Sequence, residues 1–486
     1  MMGSVRDFRP VFLVIGILLV TLALAMMVPA IADRIADNPD WQVFLAAALF
    51  TLFLGGCLTL VSRTSKTAIS VRQAFVLTTF SWIIIPAFAA LPFVFSDLGL
   101  SYADAYFEAM SGLTTTGSTV ISDLDKAPPG ILLWRALLQW LGGIGIIVTA
   151  IAILPVLQVG GMQLFRTESS DQSDKVLPRA AALAGAIFMV YFGLTVINCI
   201  AYWGAGMTLF QSICHSMTTI ATGGFSTLDE SIGHFDSPAI EGISTVFMIL
   251  GSLPFVLYLQ AVRGGFRALI KDTQVRWFLG IAIATILALT GWLSTQGGED
   301  FEHALRLASF NAISVMTGTG YSSTDFNLWG AFVLPLFTLI MLVGGCTGAT
   351  TGGIKVFRIH VLYTTARVQM LKLIQPHGIF TMKFNGRPVP DEVPGAVMGF
   401  FFLFIVSFGT VALALSLMGL DYVTSLSGAA TAIANVGPGL GDIIGPSGNF
   451  QPLPDAAKWL LSFAMLIGRL ELFTALILLV PHFWRD

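Results

Sequence analysis

Apolar residues in this chain gather into runs of about 20, the length that carries a helix across a bilayer's hydrocarbon core. Ten runs are read: Pro10 to Ile31, Trp41 to Val61, Ala74 to Phe95, Gly130 to Leu157, Ala181 to Trp203, Ala239 to Val262, Trp277 to Leu293, Leu328 to about Tyr363, Pro394 to Leu420 and Asp455 to Pro481. Four weakly polar stretches of roughly a dozen residues, too short to cross, lie between pairs of these runs: Tyr102 to Leu113, Thr208 to Ile220, His303 to Met316 and Val423 to Ala434. Each enters a glycine-centred turn, respectively Thr115-Thr116-Gly117-Ser118-Thr119, Thr222-Gly223-Gly224-Phe225-Ser226, Gly318-Thr319-Gly320-Tyr321-Ser322 and Asn435-Val436-Gly437-Pro438-Gly439. Non-helical backbone is tolerated at membrane depth only where protein or trapped water satisfies its polar groups. Four such turns about one axis meet that condition by lining a pore.

Composition sharpens the class. The chain has 486 residues, 55% hydrophobic and 11% charged, with a mean hydropathy of +0.81, so it reads as a polytopic membrane protein. The net charge of -3 matters less than its placement. Alternate loops hold Arg6 and Arg9; Arg63, Lys66 and Arg72; Arg166, Lys175 and Arg179; Arg263, Arg267, Lys271 and Arg276; Lys372, Lys383 and Arg387; and Arg485. The other loops are nearly free of Lys and Arg and carry all four glycine turns, so the positive-inside rule puts both termini in the cytoplasm and has the turns enter from outside. The first run is too long for a signal peptide and has no convincing small-residue cleavage site after it. Cys57, Cys199, Cys214 and Cys346 show no paired spacing, which supports neither a disulfide framework nor a zinc site.

The last eight spans divide into four units of span, half-helix, glycine turn, span: Arg72 to Phe165, Pro178 to Phe266, Gln274 to Ile374 and Val393 to Phe483. The expected organisation is therefore two N-terminal transmembrane helices (1–71), then pore repeats at 72–177, 178–273, 274–392 (with a broken second helix) and 393–486. The fold class is all-α, with four pseudo-symmetric helix/pore-loop/helix repeats closing around a central ion pore, since an architectural repeat signals an array.

With these parts in this order, the chain resembles the Trk, Ktr and plant high-affinity potassium transporter superfamily, and within it the bacterial Trk-type uptake subunits, which carry two extra helices ahead of the repeats. The resemblance implies one filter glycine per repeat, mapping onto Gly117, Gly224, Gly320 and Gly437. It also implies K+ as the transported ion with no organic cofactor in this chain, a homodimer with one pore per subunit, and a separate cytoplasmic nucleotide-binding regulatory subunit. That subunit is expected to dock on the basic loops around Arg166 to Arg179, Arg263 to Arg276 and Lys355 to Arg387. Sodium-preferring plant relatives resemble the pattern with serine in the first filter; here all four positions are glycine.

The residues suit that ion. A potassium filter replaces the hydration shell with backbone carbonyls, and glycine reaches the positive φ angles such backbone needs. The candidate filter set is Thr115, Thr116, Gly117, Thr222, Gly223, Gly224, Gly318, Thr319, Gly320, Asn435, Val436 and Gly437. Each half-helix adds about -0.5 elementary charge at its C-terminal end. An ordinary helix C-cap explains any single turn equally well, but not four in register. The flanking residues Ser118, Phe225, Tyr321 and Pro438 are mixed, which predicts fewer ordered ion sites and looser selectivity. Asp123, Asp229, Asp325 and Asp442 each follow a filter glycine by five or six residues. They are either a cation-focusing ring at the outer mouth or ordinary turn residues.

Two features belong below the filter. The eighth span is interrupted by Gly344, Gly345, Cys346, Thr347, Gly348, Ala349, Thr350, Thr351, Gly352 and Gly353. Each glycine costs a helix about 0.8 to 1 kcal/mol relative to alanine, so this segment should break near mid-membrane and form a movable intramembrane gate. Close helix packing through small residues, which the Gly142, Gly143 and Gly145 cluster suggests for the fourth span, is the alternative. Arg469 lies deep in the last span, where a charge faces a cavity or a partner, either as a positive barrier in the pathway or as a local mate of Glu471. Glu108 is placed to support the first turn from behind.

Three function classes remain in view. A channel-like potassium conduit fits four repeats of one orientation. An ion-coupled (H+ or Na+) secondary K+ transporter fits discontinuous helices. A membrane enzyme would need convergent catalytic side chains at membrane depth, and the six histidines are scattered. The expected setting is the bacterial inner membrane, in contact with lipid and not with nucleic acid.

Overall fold

The computed structural model describes residues 7–64, 69–149 and 176–484. The expected continuation of the fourth span to Leu157 and the basic residues Arg6, Lys66, Arg166, Lys175 and Arg485 lie outside them, as do the side chains of Arg179 and Arg263. Among the described residues seven helices are long and apolar enough to cross a membrane: Arg9–Ile35, Trp41–Val61, Val71–Phe95, Pro129–Val148, Ala182–Gly204, Thr273–Gln296 and Glu392–Leu417. An eighth, Asp455–Arg469 with Phe473–Leu479, bends by 109°. The protein is a multi-pass, mostly helical membrane protein, with an N-terminal helix pair followed by four helix, half-helix, turn and helix units.

The N-terminal pair packs closely because small residues face each other. A β-carbon on Gly16 would stand 2.5 Å from Thr59 Oγ1, and one on Gly55 would stand 2.9 Å from Leu19 Cβ. The pair is fastened to the first repeat where buried Asp33 Oδ1 accepts from Gly130 N at 2.5 Å.

The four half-helices are Tyr102–Leu113, Leu209–Ile220, Phe301–Met316 and Tyr422–Ala434. The first, second and fourth start at side-chain caps that accept the free N–H groups of a first turn, whereas Asp300 ahead of the third makes no such bond. Ser101 accepts from Asp104 N, Thr208 forms a capping box with Gln211, and Asp421 accepts from Thr424 N. Almost every residue in the second half of each is buried, since each is enclosed by full-length neighbours.

Second helices depart from expectation. Only the eighth span was expected to break, and it does: Val333–Val343 ends at Gly344 (φ 70°), and helix resumes at Val356–Ile374. The sixth also breaks, its helix Pro238–Gly251 ending before Pro254 and resuming at Phe255–Gln260. Proline has no N–H, and its ring crowds the preceding turn. The tenth span bends where Glu471 (φ 59°) and Leu472 (φ 52°) turn left-handed. A two-residue hairpin pair, Lys383–Phe384 with Arg387–Pro388, was also not anticipated. Its turn is Asn385-Gly386, both at positive φ, the pairing that two-residue hairpins favour. Asn385 pins it to the start of the helix Thr273–Gln296 by donating to Asp272 Oδ2 at 2.8 Å and accepting from Thr273 N at 2.8 Å.

Candidate functional site

The four glycine turns meet in a closed ring. A β-carbon on Gly117 would collide with the Gly223 carbonyl oxygen, and one on Gly224 with that of Thr319. One on Gly320 would stand 2.7 Å from Gly437 N, and one on Gly437 would stand 3.3 Å from Gly117 O. Each turn therefore abuts the next, and the fourth returns to the first. Two residues before each central glycine the backbone is left-handed: Thr115 (φ 53°), Thr222 (φ 50°), Gly318 (φ 76°) and Asn435 (φ 55°). Gly117 (φ 90°), Gly224 (φ 75°) and Gly320 (φ 80°) are left-handed as well. Alternating handedness aims successive carbonyls the same way, and holding Thr at positive φ is strain of the kind kept at functional sites. Gly437 departs from the pattern because it precedes Pro438, and a residue before proline is pushed to extended backbone.

Behind the ring each half-helix braces its own turn. Glu108, His215 and Asn311 each stand nine residues ahead of the central glycine. Glu108 accepts from Thr119 Oγ1 at 3.0 Å and from Val120 N at 2.9 Å. His215 Nε2 meets Ser226 Oγ at 3.1 Å, and Asn311 Nδ2 donates to Ser323 Oγ at 2.8 Å. In the fourth repeat that position is Gly428, and Ser427 Oγ accepts from Leu440 N at 3.0 Å instead. Arg135, buried opposite Glu108, donates to it at 2.7 Å and to Ser226 O at 2.7 Å, tying the first two turns together. Its guanidinium lies 4.1 Å from the centre of the Phe225 ring. Sequence reasoning missed Arg135, although an arginine within an apolar span, with Glu108 in the adjacent half-helix, was the available signal.

Glycines on the second helices let these helices reach the half-helix ends. Gly142 faces Leu113 O, Gly251 faces Ile220 O at 2.9 Å from a would-be β-carbon, and Gly468 faces Ile433 O. The Gly142 and Gly143 cluster thus packs against the ring's supports.

The glycine-rich segment 344–353 lies against the ring. Thr222 Oγ1 bonds Thr350 Oγ1 at 2.9 Å, beneath the second turn. A β-carbon on Gly352 would come 3.0 Å from Asn435 Cβ, beneath the fourth turn. The second and fourth turns are opposite members of the ring, so residues two apart in this segment touch both sides. The segment is fastened to the break in the sixth span: Cys346 N donates to Ser252 O at 3.0 Å, Thr350 Oγ1 to Gly251 O at 3.0 Å, and Phe255 N to Gly348 O at 3.0 Å. Gly345 N donates to Thr351 Oγ1 at 3.2 Å, and Thr347 N to Gln274 Oε1 at 2.8 Å.

Arg469 ends the helix Asp455–Arg469, almost wholly buried, and none of its three guanidinium nitrogens has a hydrogen-bond partner among the described residues. It lines a small cavity with Thr351, Gly352, Gly353, Lys355 and Glu471. Glu471 is not its mate. That carboxylate takes Lys355 Nζ at 3.0 Å and Arg358. The expectation that basic residues from Lys355 onward offer a docking surface is corrected accordingly, because Lys355 and Arg358 are buried in this ion pair. Arg367 and Lys372 further along the helix Val356–Ile374, and Lys383 and Arg387 in the hairpin, are exposed.

On the opposite face the acids are spread over the junctions. Asp123 is exposed and stands 3.6 Å from Lys126. Asp229 Oδ1 accepts from Leu124 N at 3.1 Å. Partial burial and the nearby Asp125 and Asp123 carboxylates raise its pKa above the ordinary aspartate value. Asp325 caps a short 3-10 turn by accepting from Asn327 N at 3.0 Å, and Asp442 is exposed in the helical turn Gly441–Ile444.

Four half-helices that end at one ring of turns, with the segment 344–353 packed against that ring, define a multi-pass membrane protein of the pore-loop transport class. The chain belongs to the TrkH family of cation transport proteins, whose profile matches residues 40–485. It is 45% identical over 484 residues to the Trk system potassium uptake protein TrkI of Halomonas elongata, covering 99% of this chain and 98% of that one. It is 38% identical to the Trk system potassium uptake protein TrkH of Vibrio parahaemolyticus, covering 99% and 100%. The crystal structure of the potassium transporter TrkH from Vibrio parahaemolyticus matches with a TM-score of 0.91 at 36% identity, over 99% and 100% of the two chains.

Proposed function

We propose that this protein takes up K+ across a bacterial cytoplasmic membrane through the ring of glycine turns. The closed ring of four turns, with left-handed backbone two residues before each central glycine, carries the reading. Carbonyls of Thr115, Thr116, Gly117, Thr222, Gly223, Gly224, Gly318, Thr319, Gly320, Asn435, Val436 and Gly437 replace the ion's water. Segment 344–353, including Gly344, Gly345, Thr347, Gly348, Thr350, Thr351, Gly352 and Gly353, closes the pathway with Arg469 beside it. Asp123, Asp229, Asp325 and Asp442 raise the local cation concentration outside. Both termini are cytoplasmic by the basic loops, and the units run 1–71, 72–177, 178–273, 274–392 and 393–486. The assembly is a homodimer that works with a cytoplasmic nucleotide-binding regulatory subunit, which reaches the exposed Arg267, Lys271, Arg276, Lys372, Lys383 and Arg387.

Flux in liposomes under defined K+, Na+ and H+ gradients tests the reading. A conduit moves K+ down its electrochemical gradient whether or not the other gradients are present. K+ flux that vanishes when an H+ or Na+ gradient is collapsed establishes coupled transport instead, and absence of K+ flux overturns both.

A further inference from the structure

Gln139 reaches from the first repeat into the second turn. It is fully buried on the helix Pro129–Val148. Its Nε2 donates to Gly223 O at 2.6 Å, and its Oε1 accepts from Phe225 N at 3.0 Å, so one side-chain amide brackets Gly224.

The second turn alone has glycine immediately before the central glycine; the other three carry Thr116, Thr319 and Val436 there. Gly223 is not among the positive-φ residues. Its lack of a side chain is therefore a matter of space: a β-carbon would stand 2.5 Å from Gln139 Oε1 and 2.7 Å from Nε2. The Gln139 amide fills the volume that a side chain takes in the other turns. At the same register on the second helices of repeats two and four, three residues before Gly251 and Gly468, stand buried Met248 and Met465. Among these three repeats an amide at this register occurs only in the first. Gly223 O is also the atom that a β-carbon on Gly117 would strike, so Gln139 fixes the junction between the first and second turns.

We propose that Gln139 is a specificity-determining positioning residue, holding the Gly223 carbonyl so that the ring keeps the size and stiffness that favour K+ over Na+. The inference rests on reading the ring as the filter. Without the strut, both Gly223 O and Phe225 N lose their partner, and the second turn is free to close on a smaller ion.

The test uses the full chain in proteoliposomes and reads the Na+ to K+ permeability ratio. Gln139→Met, which copies repeats two and four, should raise the ratio about three- to tenfold, the worth of one or two hydrogen bonds. Gly223→Ala, which displaces the amide while leaving residue Gln139 unchanged, should do the same, and the double variant should add nothing further. Gln139→Glu keeps the acceptor for Phe225 N but donates to Gly223 O only when protonated. Its ratio should therefore return toward that of the unmodified protein at the same pH as pH falls, a response that simple packing does not give. Gly223→Ala decides the matter if Gln139→Met does not fold. An unchanged ratio in these variants, with Gly224→Ser altering it, overturns the role of Gln139 and leaves the filter standing. An unchanged ratio in all of them, Gly224→Ser included, overturns the filter reading as well. Additive effects of Gln139→Met and Gly223→Ala overturn the claim that they act through one contact.

Discussion

Lys355 Nζ lies 3.0 Å from Glu471 Oε1, joining the end of the glycine-rich segment to the bend in the last span. Both residues hold left-handed backbone, at φ 74° and φ 59°, each where a helix is interrupted. The other Glu471 oxygen takes Arg358, whose guanidinium also lies 3.8 Å from the centre of the Phe400 ring. One carboxylate therefore ties two breaks in two repeats, which gives the segment a further fastening at its C-terminal end.

Glu471→Gln should be strongly destabilising. Removing one side of a buried ion pair leaves uncompensated charge and costs about 3 to 5 kcal/mol. Thermal unfolding in detergent should shift down clearly, and the double variant Lys355→Met, Glu471→Leu should recover part of the loss. An unshifted transition in Glu471→Gln would show that the pair does not hold the segment.

The ring glycines should set ion preference. Gly117 has both a positive φ and a neighbouring carbonyl in the space of its missing β-carbon, so serine there must displace the Gly223 carbonyl. Relative Na+ permeability of Gly117→Ser should rise in reconstituted vesicles. Serine at each of Gly117, Gly224, Gly320 and Gly437 without any change in selectivity would refute the assignment.

The half-helices were legible because their signals are local. Each is a short, weakly polar stretch that runs into a glycine turn, so Tyr102–Leu113 is located to the residue and the other three within two residues at each end. The breaks at Pro254 and Glu471 were hidden inside runs whose hydropathy stays high on both sides, and hydropathy does not report backbone direction. Arg135 with Glu108, Gln139 with Gly223, and Lys355 with Glu471 are contacts between segments distant in sequence, and periodicity carries no information about which polar groups meet.

The outer acids should act through the field. Neutralising Asp123, Asp229, Asp325 and Asp442 together should reduce K+ flux much more at 0.01 M salt, where screening extends over about 30 Å, than at 1 M, where it is about 3 Å. Because burial and the Asp125 and Asp123 carboxylates raise the pKa of Asp229, lowering the pH should neutralise it before an ordinary aspartate. Acidification should thus reproduce part of the Asp229→Asn effect at low salt. A loss of flux independent of ionic strength would identify the acids as structural.

Closure should separate from selectivity, because segment 344–353 and Arg469 lie against the ring without forming it. The guanidinium of Arg469 is buried with no hydrogen-bond partner among the described residues, which leaves its charge without a mate there beside Gly352 and Gly353. Such a charge is costly to bury, and its retention is accounted for if it repels cations in the resting state. Arg469→Ala should therefore raise K+ flux in the absence of the regulatory subunit while the K+ over Na+ preference stays nearly unchanged. Removing part of the segment should act in the same direction, since the closed state alone would lose the bonds from Thr350 to Thr222 and Gly251. Unlike Glu471→Gln, Arg469→Ala breaks no ion pair, and its thermal stability should be equal or higher. If both variants reach the membrane folded and basal flux does not increase, the segment is a packing break and Arg469 a structural charge.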